Sequence, residues 1–237
     1  MMITTPLRLR SLAPLLLIAL GCRSNPSPSA EPTSASPPST AAAAPVALTP
    51  ASTVTPGETA TLGKPAPHFT ATGIDGKTVS LKDFRGKTVV LEWFNPGCPF
   101  VKKSHTVGSL VDTAARHSKN GVVWIAINSG APGKQGHGKE TNLEATGSWK
   151  MQHPVLLDEN GSIGRAYGAE RTPHLYVIDP NGVLVYRGAI DNSPDAEKQS
   201  PQGGTLVNYV DAALADLAAG RPVAVAETKS YGCSVKY

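Results

Sequence analysis

The chain has 237 residues, of which 40% are hydrophobic and 17% are charged, a composition that suits one globular domain with extensions. The net charge of +4 is modest, and the lysines and arginines are scattered along the sequence. This charge pattern gives no support for nucleic-acid binding.

The first 21 residues have the pattern of a signal peptide. Arg8 and Arg10 precede the apolar run of residues 11–20, which is too short to span a bilayer as a mature helix. The run leads into Gly21-Cys22, which resembles the site at which bacterial lipoproteins are cleaved and lipidated. We expect cleavage before Cys22 and a lipid on its sulfur. An ordinary secretory signal with an incidental Cys22 is the alternative.

Three further regions follow. Residues 22–61 are rich in proline, serine, alanine and threonine and contain few large apolar side chains, which predicts a disordered tether. Residues 62–225 have the composition of a folded domain, and residues 226–237 form a tail that carries Cys233. We therefore expect an exported protein, held by its lipid anchor alone at the periplasmic side of a bacterial cell envelope.

Three apolar segments rich in β-branched residues predict the buried strands of a sheet, at residues 88–94, 122–127 and 174–179. Short strands are predicted around a tight turn at Asp75-Gly76 and at residues 155–157. Pro180-Asn181-Gly182 predicts a hairpin turn that pairs residues 183–188 with the strand before it.

Helices are predicted between these strands. A loop and then a helix are expected after Cys98, because Val107, Leu110, Val111, Ala114 and Ala115 fall on one helical face, and Gly121 ends that helix. The others are a single turn at 81–86, helices at 142–150 and 162–167, and a last helix at 207–219. The order of elements implies an α/β fold with a mixed sheet and helices on both faces.

Cys98 stands where a buried strand gives way to a helix, in the run Asn95-Pro96-Gly97-Cys98-Pro99. Pro99 suits the first helical turn, so we expect the sulfur at a helix N-terminus. Free backbone N–H groups, the helix dipole and the following Lys102 and Lys103 would favour the thiolate there. A thiolate is the nucleophile of disulfide exchange and peroxide reduction, which makes Cys98 a candidate redox thiol. A buried structural cysteine is the alternative.

Two other features of the sequence point to the same site. Glu92 interrupts a buried strand, where a carboxylate would have a raised pKa and could exchange a proton with the thiol. Its alternative position is the solvent-facing end of that strand. Thr172-Pro173 precedes the third buried strand, where Pro173 either marks the strand start or forms a cis peptide that presents backbone groups to the sulfur.

These motifs together resemble the thioredoxin superfamily, in its redoxin and peroxiredoxin-like branch, from about Gly63 to the end of the chain. The resemblance rests on the residue runs 63–69, 86–90, 95–103 and 177–179, on Asp75-Gly76 and on Thr172-Pro173. It implies a thioredoxin-like fold, with Glu92 in the place of the buried thioredoxin carboxylate. The tail around Cys233 is similar to that of peroxiredoxin-like proteins with an Asn-x-x-Cys-Pro-x-Val-Lys site.

The sequence also departs from both families. Thioredoxins carry Cys-x-x-Cys, but Val101 stands at the second cysteine position. The Pro and Thr of the peroxiredoxin Pro-x-x-x-Thr-x-x-Cys motif are Leu91 and Asn95, and the peroxiredoxin arginine is replaced by Pro173. With Cys22 lipidated, Cys233 is the remaining partner for Cys98, either within the chain or between two molecules. The alternative is that Cys233 pairs with nothing.

We therefore expect a thiol–disulfide oxidoreductase that acts on protein or small-molecule thiols and disulfides. A peroxiredoxin-like thiol peroxidase with an antioxidant role is the alternative. No cofactor is expected, because no dinucleotide fingerprint or P-loop occurs, so the electrons must come from a separate protein or a small thiol. A second alternative is a metal chaperone, for which Cys98 and His174 supply too few ligands for a tight site.

Overall fold

A computed structural model of the chain describes residues 51–237. The predicted signal peptide, Cys22 and most of the predicted tether lie outside the described residues. Within residues 51–237, no helix is both long and apolar enough to cross a membrane.

The strands and helices alternate along the chain. The strands are β1 (Thr53–Val54), β2 (Phe69–Gly73), β3 (Thr78–Ser80), β4 (Val89–Trp93), β5 (Val123–Asn128), β6 (Val155–Leu157), β7 (Arg171–Thr172), β8 (His174–Ile178), β9 (Leu184–Gly188) and β10 (Cys233–Ser234). The helices are a 3-10 turn (Leu81–Phe84), α1 (Pro99–Thr106), α2 (Thr113–Ser118), α3 (Lys139–Ser148), α4 (Ser162–Tyr167) and α5 (Tyr209–Ala218). Every predicted strand is present, with ends that differ by one or two residues.

The main sheet has the order β1-β2-β6-β5-β4-β8-β9, with β3 also paired to β2. Strand β4 is central, since it runs parallel to β5 and antiparallel to β8. The sheet is therefore mixed, as predicted. A separate two-stranded ladder joins β10 to β7.

Helices cover both faces of the sheet, and the side chains of β4 are buried on both sides. Leu91 and Trp93 point into a core closed by α4. Val90 faces the opposite core, which α2 and α5 close, and Phe94 lies in the adjoining cluster with residues of α1 and α3. The predicted α/β architecture with helices on both faces is confirmed.

The predicted helix that ends at Gly121 is wrong over residues 107–112, which form a loop. The chain leaves α1 after Thr106 and resumes as α2 at Thr113. Gly108 lies so close to the Ala196 carbonyl that a Cβ would collide with it. The loop that contains Ala196 therefore takes the place of a helical turn, and Val107 and Val111 are half exposed.

The N-terminal edge of the domain also differs from its predicted limit at residue 62. Strand β1 pairs with β2, and the buried Ser52 hydroxyl bonds to the buried carboxylate of Asp158. Residues 51–61 are thus part of the fold, although their composition resembles that of the tether. Tertiary hydrogen bonds order a segment that has few apolar side chains of its own.

Candidate active site

Cys98 is the residue immediately before α1, as predicted, and its side chain is 0% exposed. It packs with Phe94, Val101 and Ala126. Its Sγ donates to the carbonyl oxygen of Thr172 at 3.1 Å, and its side chain makes no capping bond to the helix. The sulfur is therefore held as a thiol against a carbonyl, in contrast to the expected contact with the helix amides.

The loop before Cys98 is braced by hydrogen bonds to a second loop. Asn95 Oδ1 accepts from the Gly97 N–H at 2.8 Å, and Asn95 Nδ2 donates to the Gln135 carbonyl at 3.0 Å. Gln135 Nε2 returns a bond to the Gly97 carbonyl at 2.8 Å. These bonds fix the backbone that presents the cysteine. Asn95 was noted from the sequence only as a departure from peroxiredoxins, and its role in the loop was not predicted.

Thr172 and Pro173 lie beside the sulfur, and the peptide bond between them is cis. The Thr172 side chain is buried, and its hydroxyl has no hydrogen-bond partner among the described residues. Its carbonyl faces Cys98, as described above. Residues separated by more than 70 positions in the sequence therefore meet at one point.

Cys233 is brought to the same point by the C-terminal tail. It is the register partner of Thr172 in the ladder between β10 and β7, and it packs against the cluster that contains Cys98. Burial and the neighbouring Cys98 raise the pKa of the Cys233 thiol to about 11. The two cysteines are free thiols in contact, a dithiol assembled from distant parts of the chain.

Glu92 is fully buried in β4, so the alternative position at a solvent-facing strand end is wrong. Its Oε1 lies 2.7 Å from His105 Nε2, and its Oε2 accepts from the Trp124 indole N–H at 3.1 Å. Burial alone would raise the pKa of Glu92, but His105, His153 and Trp124 together more than offset it, and the net pKa lies below the ordinary value. The expected upward shift is thus reversed, because the carboxylate is paired.

His105 is a second residue of this region whose role sequence reasoning missed. It lies in the last turn of α1, buried, and stacks on Trp149 at 5.6 Å between ring centroids. The available signal was its position two helical turns after Cys98, on the face that packs on β4. The Glu92–His105 pair therefore joins the helix that carries Cys98 to the centre of the sheet.

The predicted positive potential near the thiol is weaker than expected. Lys102 is exposed, and Lys103 forms an ion pair of 2.7 Å with Glu197. An exposed pair of this kind contributes little. Neither lysine side chain has a hydrogen bond to Cys98 among the described residues.

His174 does not join Cys98 in a metal site. It is buried, and its Nδ1 lies 3.2 Å from the Tyr176 hydroxyl. Within residues 51–237, no group of three or more His, Cys, Asp or Glu side chains is arranged to hold a metal ion. The donor set that a metal chaperone requires is not assembled around this thiol.

The fold and the position of the cysteine define the structural class of the protein, and comparison with known proteins gives its family. The sheet order, the cysteine before α1 and the cis Thr172-Pro173 bond define a thioredoxin-like fold. The redoxin family model matches residues 61–202, which contain Cys98, Glu92, Thr172 and Pro173. The chain belongs to the redoxin family, in the thioredoxin superfamily.

Individual relatives are more distant. A thiol-disulfide oxidoreductase ResA from Bacillus thuringiensis is 29% identical over 126 residues, which cover 52% of this chain and 66% of the relative. A thioredoxin peroxidase from Fasciola hepatica is 27% identical over 129 residues, 51% of this chain and 66% of the relative. The chain thus spans slightly less than two thirds of the length of these relatives.

Two solved structures are similar over most of their length. An uncharacterized conserved protein from Geobacillus kaustophilus has a TM-score of 0.65 and 32% identity, covering 78% of this chain and 96% of its own. A hypothetical protein from Sinorhizobium meliloti has a TM-score of 0.64 and 25% identity, covering 76% and 96%. Both share the fold of this chain.

Proposed function

We propose that this chain is a thiol–disulfide oxidoreductase in which Cys98 attacks and Cys233 resolves. The observation that carries the proposal is the contact between these two thiols beside Thr172. The similarity to the ResA oxidoreductases supports the same class of reaction. The substrates would be protein or small-molecule disulfides, and a separate thiol or protein would return the electrons.

The exchange has two steps. The Cys98 thiolate attacks a disulfide R–S–S–R′, forming a Cys98–S–S–R bond and releasing R′–S⁻, which takes up a proton. The deprotonated Cys233 sulfur then attacks Cys98 Sγ, forms the Cys98–Cys233 disulfide and releases R–S⁻. Two electrons pass from the cysteine pair to the substrate, and an external dithiol restores the pair.

The remaining site residues have supporting roles in this proposal. The Thr172 carbonyl accepts the proton of the resting Cys98 thiol, and Pro173 sets the position of that carbonyl next to β8. Glu92 is a positioning residue, because both of its oxygens are already hydrogen-bonded, to His105 and Trp124. It acts on Cys98 through α1.

Titration with a small aromatic disulfide tests the proposal in full-length protein with Cys22→Ser, so that only two thiols react. The parent should consume one equivalent of disulfide and form an intramolecular bond, which mass spectrometry after alkylation detects. Cys233→Ser should stop at a mixed disulfide on Cys98. Formation of no Cys98–Cys233 bond by the parent, or full turnover by Cys98→Ser, would overturn the proposal.

Peroxide reduction is the second candidate, favoured by the match to a thioredoxin peroxidase. Cys98 would displace ROH from ROOH to give a sulfenic acid, and Cys233 would then form the disulfide with loss of water. Rapid mixing with hydrogen peroxide decides between the two. A second-order rate constant no greater than that of free cysteine would remove the peroxidase candidate.

We further propose that the protein acts on the periplasmic side of a cell envelope, held by lipid on Cys22. The supporting features are the apolar run at residues 11–20 and the cysteine that follows it. Metabolic labelling with a fatty acid, compared between the parent and Cys22→Ser, tests the anchor. Labelling of both proteins, or of neither, would contradict it.

A further inference from the structure

The last ten residues of the chain, 228–237, cross the surface above Cys98 and are called the strap here. They lie outside the segment that matches the redoxin family model. The strap begins where the Thr228 N–H donates to the Arg187 carbonyl at 3.1 Å, and it ends with the Tyr237 ring against Arg165 of α4. The strap therefore runs from β9 to α4 and passes the site described above between these two elements.

The strap is held by hydrogen bonds at separate points along its length. At its start, Thr228 Oγ1 lies 2.7 Å from the Tyr186 hydroxyl and accepts from the Ala189 N–H at 3.0 Å, and near its end the Lys236 carbonyl accepts from the Ala131 N–H at 2.8 Å. The Tyr231 hydroxyl donates to Asp191 at 2.9 Å, and the Val235 N–H donates to the Glu170 carbonyl at 3.0 Å. The Tyr237 hydroxyl donates to the Ala169 carbonyl at 2.8 Å, and the Tyr237 ring lies 4.6 Å from the Arg165 guanidinium. Apart from the two-residue strand β10, no regular secondary structure occurs in the strap.

The strap closes the site tightly at Gly232. A Cβ on Gly232 would collide with the Thr172 carbonyl oxygen and lie 3.3 Å from Phe100 Cβ. Its φ of 102° is also one that favours glycine. The next residue, Cys233, covers the Cys98 sulfur, which has no exposed surface of its own.

We propose that the strap is a displaceable cover, and that no external reagent reaches Cys98 until it lifts away from β7. This inference rests on the proposed function for its role in turnover. A segment with half-buried side chains and scattered hydrogen bonds opens at a lower free energy than the core. The rate at which Cys98 meets a substrate is then the product of the open fraction and the intrinsic reaction rate.

The test measures alkylation of Cys98 by iodoacetamide in full-length Cys22→Ser/Cys233→Ser protein, where Cys98 is the only thiol. Adding Tyr237→Ala removes one half-buried hydrogen bond and the stacking on Arg165, and should raise the alkylation rate about tenfold. Gly232→Ala should raise the rate at least as much, since the added methyl group has no room between the docked strap and the Thr172 carbonyl.

Lys236→Ala is the matched control, because within residues 51–237 the Lys236 side chain bonds only to Ser234, which is itself in the strap. It should leave the rate unchanged. Hydrogen exchange at the Val235 amide measures strap opening directly, and the thermal midpoint shows that each variant is folded. Faster exchange at Val235 without faster alkylation would overturn the proposal, as would equal acceleration by Lys236→Ala.

This experiment requires no redox reaction, so it is independent of the test of the proposed function. If Cys98 and Cys233 form no disulfide, alkylation still reports whether the strap covers the thiol. If the disulfide forms while Tyr237→Ala and Gly232→Ala leave alkylation unchanged, the oxidoreductase proposal stands and the cover is wrong.

Discussion

At the scale of single residues, Glu92 shows how a partner reverses the behaviour of a buried carboxylate. A lone carboxyl in an apolar strand would titrate upward, but His105 and Trp124 stabilise the charged form. Removing one member of a buried pair usually costs more than the pair contributes, because the other member is left without a partner.

We therefore expect Glu92→Gln to lower the free energy of unfolding by about 3 kcal/mol. Glu227→Gln is the matched control, since Glu227 pairs with Arg187 in an exposed ion pair of 2.7 Å and should cost less than about 1 kcal/mol. Urea denaturation at pH 7 measures both. If both variants lose the same small amount of unfolding free energy, the buried pair stabilises the fold no more than the exposed pair does.

Glu92→Gln also tests the role proposed for this residue in positioning Cys98. If the Glu92–His105 pair holds α1 on the sheet, the substitution should change the reduction potential of the Cys98–Cys233 couple. Glu227→Gln should not. An unchanged potential in Glu92→Gln would limit Glu92 to a structural role.

His174 gives the fold a dependence on pH. Burial, with a smaller effect from the Arg187 charge, lowers the pKa of His174 from 6.5 to about 4. Below pH 6.5 His174 is protonated in the unfolded chain but stays neutral in the folded chain. The contribution of neutral His174 to the free energy of unfolding is therefore fully present above pH 6.5 and decreases as the pH falls toward 4. The full shift corresponds to roughly 3 kcal/mol.

His174→Asn should therefore flatten the loss of stability between pH 6.5 and pH 5, because asparagine keeps a polar atom near Tyr176 and does not titrate. Urea unfolding at several pH values measures the slope. This window lies above the range in which paired carboxylates such as Asp211 become protonated. Identical slopes in the parent and in His174→Asn would contradict the expectation.

At the scale of elements, the break between α1 and α2 is the main departure from the periodicity of the sequence. Gly108 sits against Ser104 and the Ala196 carbonyl, where a side chain has no room. Gly147 provides the opposite case, because it lies inside α3 with nothing within 4 Å of its would-be Cβ.

Gly108→Ala should lower stability by about 2 kcal/mol, since the added methyl group must push two backbones apart. Gly147→Ala should raise stability by about 0.5 kcal/mol, because alanine is the better helix former. Thermal unfolding of the two variants gives the comparison. A stabilised Gly108→Ala would mean that the break does not depend on this close approach.

At the scale of the whole molecule, the strap turns two cysteines that are distant in sequence into one dithiol. A disulfide between Cys98 and Cys233 would close a loop of about 135 residues, and closing a long loop removes much of the entropy of the unfolded chain. Oxidation should therefore stabilise the protein, by about 3 kcal/mol.

Guanidinium unfolding of oxidised and reduced full-length Cys22→Ser protein measures this difference. Cys22→Ser/Cys233→Ser is the control, and it should unfold at the same denaturant concentration after either treatment. If the oxidised parent is no more stable than the reduced parent, either the bond does not form or it strains the strap. Alkylation and mass spectrometry separate these two results.

Much of this fold could be predicted from the sequence, because the features concerned depend on residues that are close together in the chain. The strands with long β-branched runs, such as β4, β5 and β8, were identified because burial on both faces leaves a simple apolar pattern. The position of Cys98 before α1 follows from the adjacent Pro99, which suits a first helical turn. The resemblance to the redoxin family rested on these motifs, and the match to the family model confirmed it.

What only the tertiary structure decided concerns contacts between distant segments. Helical periodicity could not reveal the loop that breaks the predicted helix at Gly108, nor the hydrogen bonds that order residues 51–61. The residues around Cys98 predicted a thiol at a helix N-terminus. The structure adds that its sulfur faces the Thr172 carbonyl, with Cys233 alongside, because the strap pairs with β7 and no local pattern encodes that pairing.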